Sequence, residues 1–252
     1  MQRFKIVVSY DGTDFNGWQI QPNATTVTAT LQQTFAKVFN ENITILGASR
    51  TDTGVHALHQ VAIFKSDLKI QESQILKAWN GQLPHSILIR KLQKGSDQFH
   101  PCVNVLQKTY YYHLFLKRPL PFVARFGWHY DFIDMVDWKK FENCLQLYVG
   151  KHDFASFCKV DQSDPKNTVR TIDAITIKTI KRFGVVQISV KAKSFVRFQI
   201  RRMIGYALDV SRRKDCTHND LKHILDNPNP KQTLLKAPGC GLLLRKIRYK
   251  DG

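Results

Sequence analysis

Ile43-Thr44-Ile45-Leu46, then Arg50-Thr51-Asp52-Thr53-Gly54-Val55-His56-Ala57, then Gln60-Val61-Ala62-Ile63-Phe64 is the stretch that organises this chain. The outer runs are short, β-branched and apolar, as strands require. What joins them is too polar for core and too long for a two-residue hairpin. It reads as a loop held by a rigid sheet, where catalytic groups tend to sit. Asp52 lies two residues from Arg50, and a guanidinium close by favours the ionised carboxylate. An ionised, positioned carboxylate is a nucleophile or a base. Two plainer readings compete. Asp-Thr-Gly is also the signature of aspartic proteases, whose chemistry needs two carboxylates sharing a proton. This chain has a single Asp-Thr-Gly, so only a symmetric dimer could supply the second. The tripeptide alone also suits a purely structural turn.

The charge balance points to a class of partner. The 252 residues carry 38 Lys+Arg against 20 Asp+Glu, a formal net charge of +18. Such a surplus is the electrostatic footprint of nucleic-acid binding, although a solubility surplus or a lysine-rich proteome would produce it too. Met1-Gln2-Arg3 runs directly into a strand with no apolar leader, and a purely aliphatic run such as Leu242-Leu243-Leu244, which none exceeds in length, is far too short to span a bilayer. A soluble, cytoplasmic protein is expected. The five cysteines are scattered and include no Cys-x-x-Cys pair, which argues against a disulfide framework and a zinc site. The nine histidines are equally dispersed. No metal and no cofactor are expected.

Working outward, Phe4, Ile6, Val8 and Tyr10 alternate with Lys5, Val7 and Ser9, a strand ending at Asp11-Gly12. Val27, Leu31, Phe35 and Val38 have helical spacing behind Thr25 or Thr26 as N-cap. Ile75, Leu76, Trp79 and Leu83 mark a helix stopping at Pro84, and Ile87-Leu88-Ile89 is a strand. The order is βαββαβ. The second half repeats it, with a strand at Thr109–Leu116 and a helix carrying Trp138, Phe141, Leu145 and Tyr148. Strands at Ile172–Thr179 and Val185–Val190 join around Phe183-Gly184. A helix then spans roughly Phe195 to Arg212, a short one follows near Leu221–Leu225, and Leu242–Tyr249 is the closing strand. Two βαββαβ units are two ferredoxin-like halves, an α+β fold. No sequence repeat is visible, so this rests on element order. Joined edge to edge, the halves would form one large, mixed, mainly antiparallel sheet with helices on one face and the other face free. The boundary is expected near 93–104, giving 1–104 as the half with the Asp52 loop and 105–252 as the half completing its cleft.

Two further constellations carry chemistry. In Lys108-Thr109-Tyr110-Tyr111-Tyr112, Tyr110 and Tyr112 share one face of a strand and Tyr111 takes the other. A hydroxylated ring suits stacking on a base pulled from its helix, and tyrosine in a strand buried on both faces is the plainer alternative. On the helix to Arg212, Ile200, Met203, Ile204, Ala207 and Leu208 form the buried stripe. Arg202 falls about 200° from Ile200 and should be solvated, whereas Arg201 falls about 100° away, at the edge of the stripe. There a side chain can reach a cleft, although a surface arginine is the simpler reading. Arg197, Arg212, Arg213 and Lys214 read as solvated or phosphate-facing.

Gly47-Ala48-Ser49-Arg50-Thr51-Asp52-Thr53-Gly54-Val55-His56-Ala57, followed by Gln60-Val61, resembles the active-site motif of the tRNA pseudouridine synthase A (TruA) family, with Ser49 where that family usually has Gly. Further resemblance lies in Asp11-Gly12-Thr13-Asp14-Phe15-Asn16-Gly17-Trp18-Gln19, Lys151–Phe157, Asn167–Ile172 and Ala237–Leu242. Phe195, Arg201 and Gly205 match a family helix of the form Phe-x-x-x-x-x-Arg-x-x-x-Gly. Departures are Thr28 where a Gln is usual, and Pro101-Cys102 where Ala-Arg is expected. The resemblance implies isomerisation of uridine to pseudouridine in the anticodon stem-loop of tRNA, at positions 38, 39 and 40, by a homodimer without cofactor. It implies Asp52 as the nucleophile, acting on sugar or base, or as a base taking a sugar proton. Arg50 and Arg201 would orient that carboxylate and keep it charged. Tyr110 would contact the target uridine, with Tyr112 in the core, and His56, in the same loop, would bind substrate. The competing class is a non-catalytic RNA-binding module, since βαββαβ is also the RRM topology. Lys193–Phe198 is a faint match to the RRM aromatic motif, but it lacks the required glycine and is placed on a helix.

Overall fold

The computed structural model describes residues 1–159 and 167–250. Its elements run β1 (Gln2–Tyr10), α1 (Val27–Phe39), β2 (Leu46–Gly47), β3 (His56–Ser66), α2 (Glu72–Asn80), β4 (Ile87–Lys94), β5 (Val105–Phe115) and β6 (Trp128–His129). They continue α3 (Trp138–Gln146), β7 (Gly150–Asp153), β8 (Val169–Ile180), β9 (Val185–Ala192), α4 (Gln199–Arg212), α5 (His218–Asp226) and β10 (Leu242–Tyr249). Two compact units result, Met1–Leu106 with the segment from Leu243, and Gln107–Leu242. Each mixes helices with a mainly antiparallel sheet, the α+β class expected from element order.

In the first unit β1 lies between β3 and β4, antiparallel to both. On its other edge β3 pairs with β2 antiparallel and with β10 in parallel, at Leu243↔His56 and Leu244↔Ala57. Phe4, Ile6, Val8 and Tyr10 are buried while Lys5, Val7 and Ser9 are half-buried, as a period of two dictates. Thr26 caps α1, its hydroxyl accepting the Ala29 N–H at 3.3 Å, and the helix ends at Asn40 in the left-handed region with φ 51°. Four rings fix both helices to one face of the sheet. Phe35 of α1 and Trp79 of α2 sit 4.8 Å apart, and Phe64 of β3 is 5.3 and 5.5 Å from them. Phe4 stacks on Phe64 at 5.2 Å.

Two expectations shift here. The run Ile43–Leu46 pairs as a strand only at Leu46–Gly47, because the Ile45 N–H is taken by the Gln32 side chain of α1 at 3.1 Å. Helix α2 ends at Asn80 and not at Pro84. The Asn80 amide closes on both backbone groups of Ile89, at 2.8 and 2.9 Å.

In the second unit the strand order is β5-β9-β8-β7, antiparallel throughout, with β6 parallel to β5. Tyr110, Tyr112 and Leu114 are buried opposite Val190, Ile188 and Val186. The helices match this apolar row, with Phe141, Cys144 and Leu145 of α3 and Met203, Ile204, Ala207 and Leu208 of α4 all buried. The Tyr148 hydroxyl donates to the Met203 carbonyl at 3.1 Å, tying the end of α3 to α4. Helix α4 begins at Gln199 and not at Phe195, because Phe198 has φ 67° and a right-handed helix cannot run through it. The closing strand, expected in the second half, forms as β10 but from Leu243 onward belongs with the first unit, where β3 binds it.

His59 of β3 gives this arrangement a pH dependence. Burial, then the cations Arg90, Lys246 and Arg245, lower its imidazole below the ordinary 6.5 against an opposing backbone hydrogen bond. A depressed folded-state pKa means the unfolded chain takes up the proton first as pH falls. The stability it contributes is therefore present above about pH 6.5 and lost as pH drops through the folded value. Thermal unfolding followed between about pH 7.5 and 5 should show a shallower acid-side decline for His59→Gln than for the wild type.

Candidate active site

Asp52 opens a tight turn. Its carbonyl accepts the Val55 N–H at 3.1 Å, and the third residue, Gly54, has φ 75°, the value a type II turn requires there. The turn is braced from several directions. On the sheet side the Ala48 N–H donates to the Val61 carbonyl at 2.8 Å and the Gln60 amide donates to the Ser49 carbonyl at 2.5 Å. The Tyr10 and Thr51 hydroxyls meet at 2.7 Å. From the loop after β1, the Trp18 N–H donates to the Thr51 carbonyl at 3.1 Å and the Phe15 carbonyl accepts the Gly54 N–H at 3.2 Å. The Thr51–Asp52 and Thr53–Gly54 peptides, one before Asp52 and one inside its turn, are thereby held by a second piece of backbone.

That approach demands glycine at two places. A Cβ at Gly12 would overlap the Val55 carbonyl, and one at Gly17, where φ is 88°, would overlap the Thr51 carbonyl. The same loop reaches the start of α1, with the Val27 and Thr28 N–H groups donating to Gly17 and Trp18 carbonyls at 3.1 Å each. These are donors that a helix leaves unsatisfied at its N-terminus. Tyr10, Gly12, Gly17, Trp18 and Gln60 therefore shape the site without standing out as chemistry in the sequence. The visible signal was the pair of glycines just after a strand.

Asp52 itself is half-buried, and Arg50 is exposed on the same loop. His56 is buried. The Gly12 N–H lies 3.0 Å from its Nδ1. Asp11 Oδ1, 3.1 Å from Nδ1, takes the N–H and hydroxyl of Thr13 at 3.0 and 2.6 Å.

In the second unit Tyr110 is buried, with Phe195 edge-on at 5.3 Å. Tyr112 is fully buried, its hydroxyl donating to the Pro238 carbonyl at 2.9 Å, and burial pushes its phenol well above 10. It is a core residue. Arg201 is buried, Nε donating to the Ala237 carbonyl at 2.8 Å. Arg202, expected in solvent, instead donates to the carbonyls of Ser156 and Cys158 at 3.3 and 2.6 Å. Helical periodicity placed it off the main stripe, but the turn at Ala155–Phe157 packs there and presents carbonyls to it. Among the described residues, no group of three or more His, Cys, Asp or Glu could hold a metal ion, and no helix is long and apolar enough to cross a membrane.

Residues 6–102 and 144–250, which span the Asp52 loop, the Arg201 helix and most of both units, match the family described as tRNA pseudouridine synthase. The chain belongs to the TruA family. The tRNA pseudouridine synthase A of Thermodesulfovibrio yellowstonii is 33% identical over 259 residues, covering 99% of this chain and 100% of its own. That of Thermoanaerobacter sp. (strain X514) is 35% identical over 251 residues, covering 99% and 100%. That of Aquifex aeolicus is 31% identical over 212 residues, covering 84% and 86%. As a TruA-family enzyme the protein is an isomerase that makes pseudouridine from uridine. Its Cys102, where the family pattern has Arg, is exposed, with Sγ 3.4 Å from the Gly47 carbonyl.

The bracing separates two kinds of damage. Tyr10→Phe removes one hydroxyl pairing and should cost about 1 kcal/mol of stability. Gly12→Ala and Gly17→Ala drive a methyl into the backbone beside Asp52, so isomerase activity should fall by well over tenfold even at temperatures where both variants remain folded. Thermal unfolding, paired with tritium release from C5-labelled uridine, checks both.

Proposed function

We propose that this enzyme isomerises uridines at positions 38, 39 and 40 of the anticodon stem-loop of tRNA, working in the cytoplasm as a homodimer that grips one tRNA across both subunits. The observation that carries the reading is Asp52, a carboxylate at the head of a turn fixed by two separate backbone hydrogen bonds, one to the peptide before it and one to a peptide inside the turn. A pure binder has no use for an acid aimed at a polyanion. The names of the relatives support tRNA as the substrate, and the net charge of +18 suits a phosphate backbone.

In the reaction the uracil leaves ribose C1′ at N1, turns, and rejoins through C5. The C5 proton goes to solvent and N1 gains one, so composition and oxidation state are unchanged and no cofactor is required. Asp52 supplies the carboxylate, as nucleophile on sugar or base or as the base that takes a sugar proton. Arg50 and Arg201 keep that carboxylate charged, and Tyr110 stacks on the flipped base. His56, at the end of the same loop, binds substrate.

Asp52→Asn conserves volume and hydrogen-bonding reach and removes the charge. Tritium release from C5-labelled uridine in a tRNA transcript should become undetectable while tRNA binding survives or tightens slightly. Retained release by a folded Asp52→Asn protein would sink the mechanism. Wild-type affinity should also fall linearly in log–log terms with salt, each phosphate-contacting Lys→Ala flattening the slope by about 0.7–0.9. An affinity indifferent to salt would rule out RNA as the natural ligand.

A further inference from the structure

Three cations gather on one aromatic ring at the start of α4. The guanidinium carbons of Arg197 and Arg201 lie 4.9 and 5.4 Å from the Phe198 ring centroid, and the Lys236 ammonium lies 4.4 Å from it. Like charges do not assemble this way without something that holds them, and the negative face of an aromatic ring does so.

The backbone is arranged to bring them there. Phe198 has φ 67° and ψ 0°, a left-handed conformation that is strained for a bulky side chain and easy for Gly or Asn. The turn before it is pinned, the Val196 N–H donating to Gln199 Oε1 at 2.9 Å and the Gln199 N–H to the Val196 carbonyl at 3.2 Å. From the other direction, Leu235–Ala237 lies directly on α4 at Gly205, where a Cβ would overlap the Leu235 carbonyl and crowd the Ala237 nitrogen. Arg201 and Ala237 then bond twice. The Ala237 N–H donates to the Arg201 carbonyl at 3.0 Å, and Arg201 Nε donates to the Ala237 carbonyl at 2.8 Å. Lys236, one residue before Ala237, is carried to the same ring as Arg201. A left-handed Phe in place of an easier residue is hard to account for as fold stability, because the strain opposes it.

We propose that Phe198 is a positioning residue for the isomerisation, its ring orienting Arg201 and Lys236 together, and that Lys236 is a second cation serving the same negative charge as Arg201. This rests on the role proposed for Arg201 above. Neither Phe198 nor Lys236 is distinguished by the sequence pattern that singled out Arg201.

The test measures single-turnover tritium release at saturating tRNA transcript, tRNA affinity, and thermal unfolding. Phe198→Leu keeps apolar volume without a π-face, and Lys236→Met keeps length without charge. Each should slow the chemical step by about tenfold, the scale of a lost cation–π contact, with tRNA affinity changed by less than about twofold. Phe198→Tyr should restore near-normal turnover. Phe198→Asn relaxes the backbone and removes the ring, so it should unfold at a higher temperature than wild type and still turn over slowly. A purely structural Phe198 predicts the opposite, with activity following stability. Wild-type rates in Phe198→Asn and Lys236→Met would overturn the proposal even if Phe198→Leu failed to fold. With Arg201→Ala as control, slow turnover there beside normal Phe198 and Lys236 variants overturns this inference alone. Normal turnover by Arg201→Ala overturns the role of Arg201 and this inference with it.

Discussion

The contact on which the first unit's site depends is backbone against backbone. The segment Phe15–Trp18 lies along Thr51–Gly54 closely enough for the Trp18 N–H and the Gly54 N–H to cross-bond the two loops at 3.1 and 3.2 Å. Side chains would keep two loops apart, and Gly12 and Gly17 are where they would have done so. Trp18, almost fully buried, anchors the arrangement, because its indole occupies the space a side chain at Gly47 would need. The loop also supplies the carbonyls that the first turn of α1 requires. One short segment therefore links the core helix to the Asp52 turn, and any movement of the acid must distort both. A turn held this way has its backbone set before any substrate arrives, which is the geometric condition for positioning whatever side chain it carries.

The second unit uses the same device on a helix. Gly205 lets Leu235–Ala237 lie against α4 with no side chain between them, and Arg201 is locked through its own carbonyl and its Nε to a single residue, Ala237. In both units a glycine gives up side-chain packing so that backbone amides, which have fixed directions, orient a charged group. Long side chains such as arginine lose substantial rotamer freedom when fixed. The Nε hydrogen bond to Ala237, with a ring beside the guanidinium, offsets that cost locally.

What the sequence made legible follows from which forces are local. The alternation from Phe4 to Tyr10, the helix of Val27, Leu31 and Phe35 behind Thr26, and the buried stripe of α4 are patterns of burial, and burial repeats with the element's own period. Competition for a donor is not periodic. Ile43–Leu46 has the composition of a strand, yet Gln32, from a different element, takes the Ile45 N–H. Nothing in Phe195–Phe198 announces a left-handed residue, and α4 begins four residues later than the pattern from Phe195 suggests. The angle of Arg202 on a helical wheel points it to water, and a wheel contains no information about the turn at Ala155–Phe157 that covers that side. The run Leu242–Tyr249 reads clearly as a strand, but its partner β3 lies nearly two hundred residues upstream, and register with it is a tertiary fact.

The same distinction governs how the charge of +18 is disposed. Arg212 and Arg213 are matched by Asp209 and Asp215, so their charges are offset within the fold. Arg202 is fixed differently, by the carbonyls of Ser156 and Cys158, and Arg90 by that of Leu58. A carbonyl orients a guanidinium through its dipole but carries no net charge, so the cation's field persists beyond the contact. Arginine suits this use because it stays protonated and presents several donors in a rigid fork, with some left over after one or two are engaged. Anchoring cations on carbonyls instead of carboxylates therefore gives a rigid surface that remains strongly positive. A composition count cannot distinguish the two kinds of arginine, since both enter it as one positive charge, and only the hydrogen-bond partners separate them.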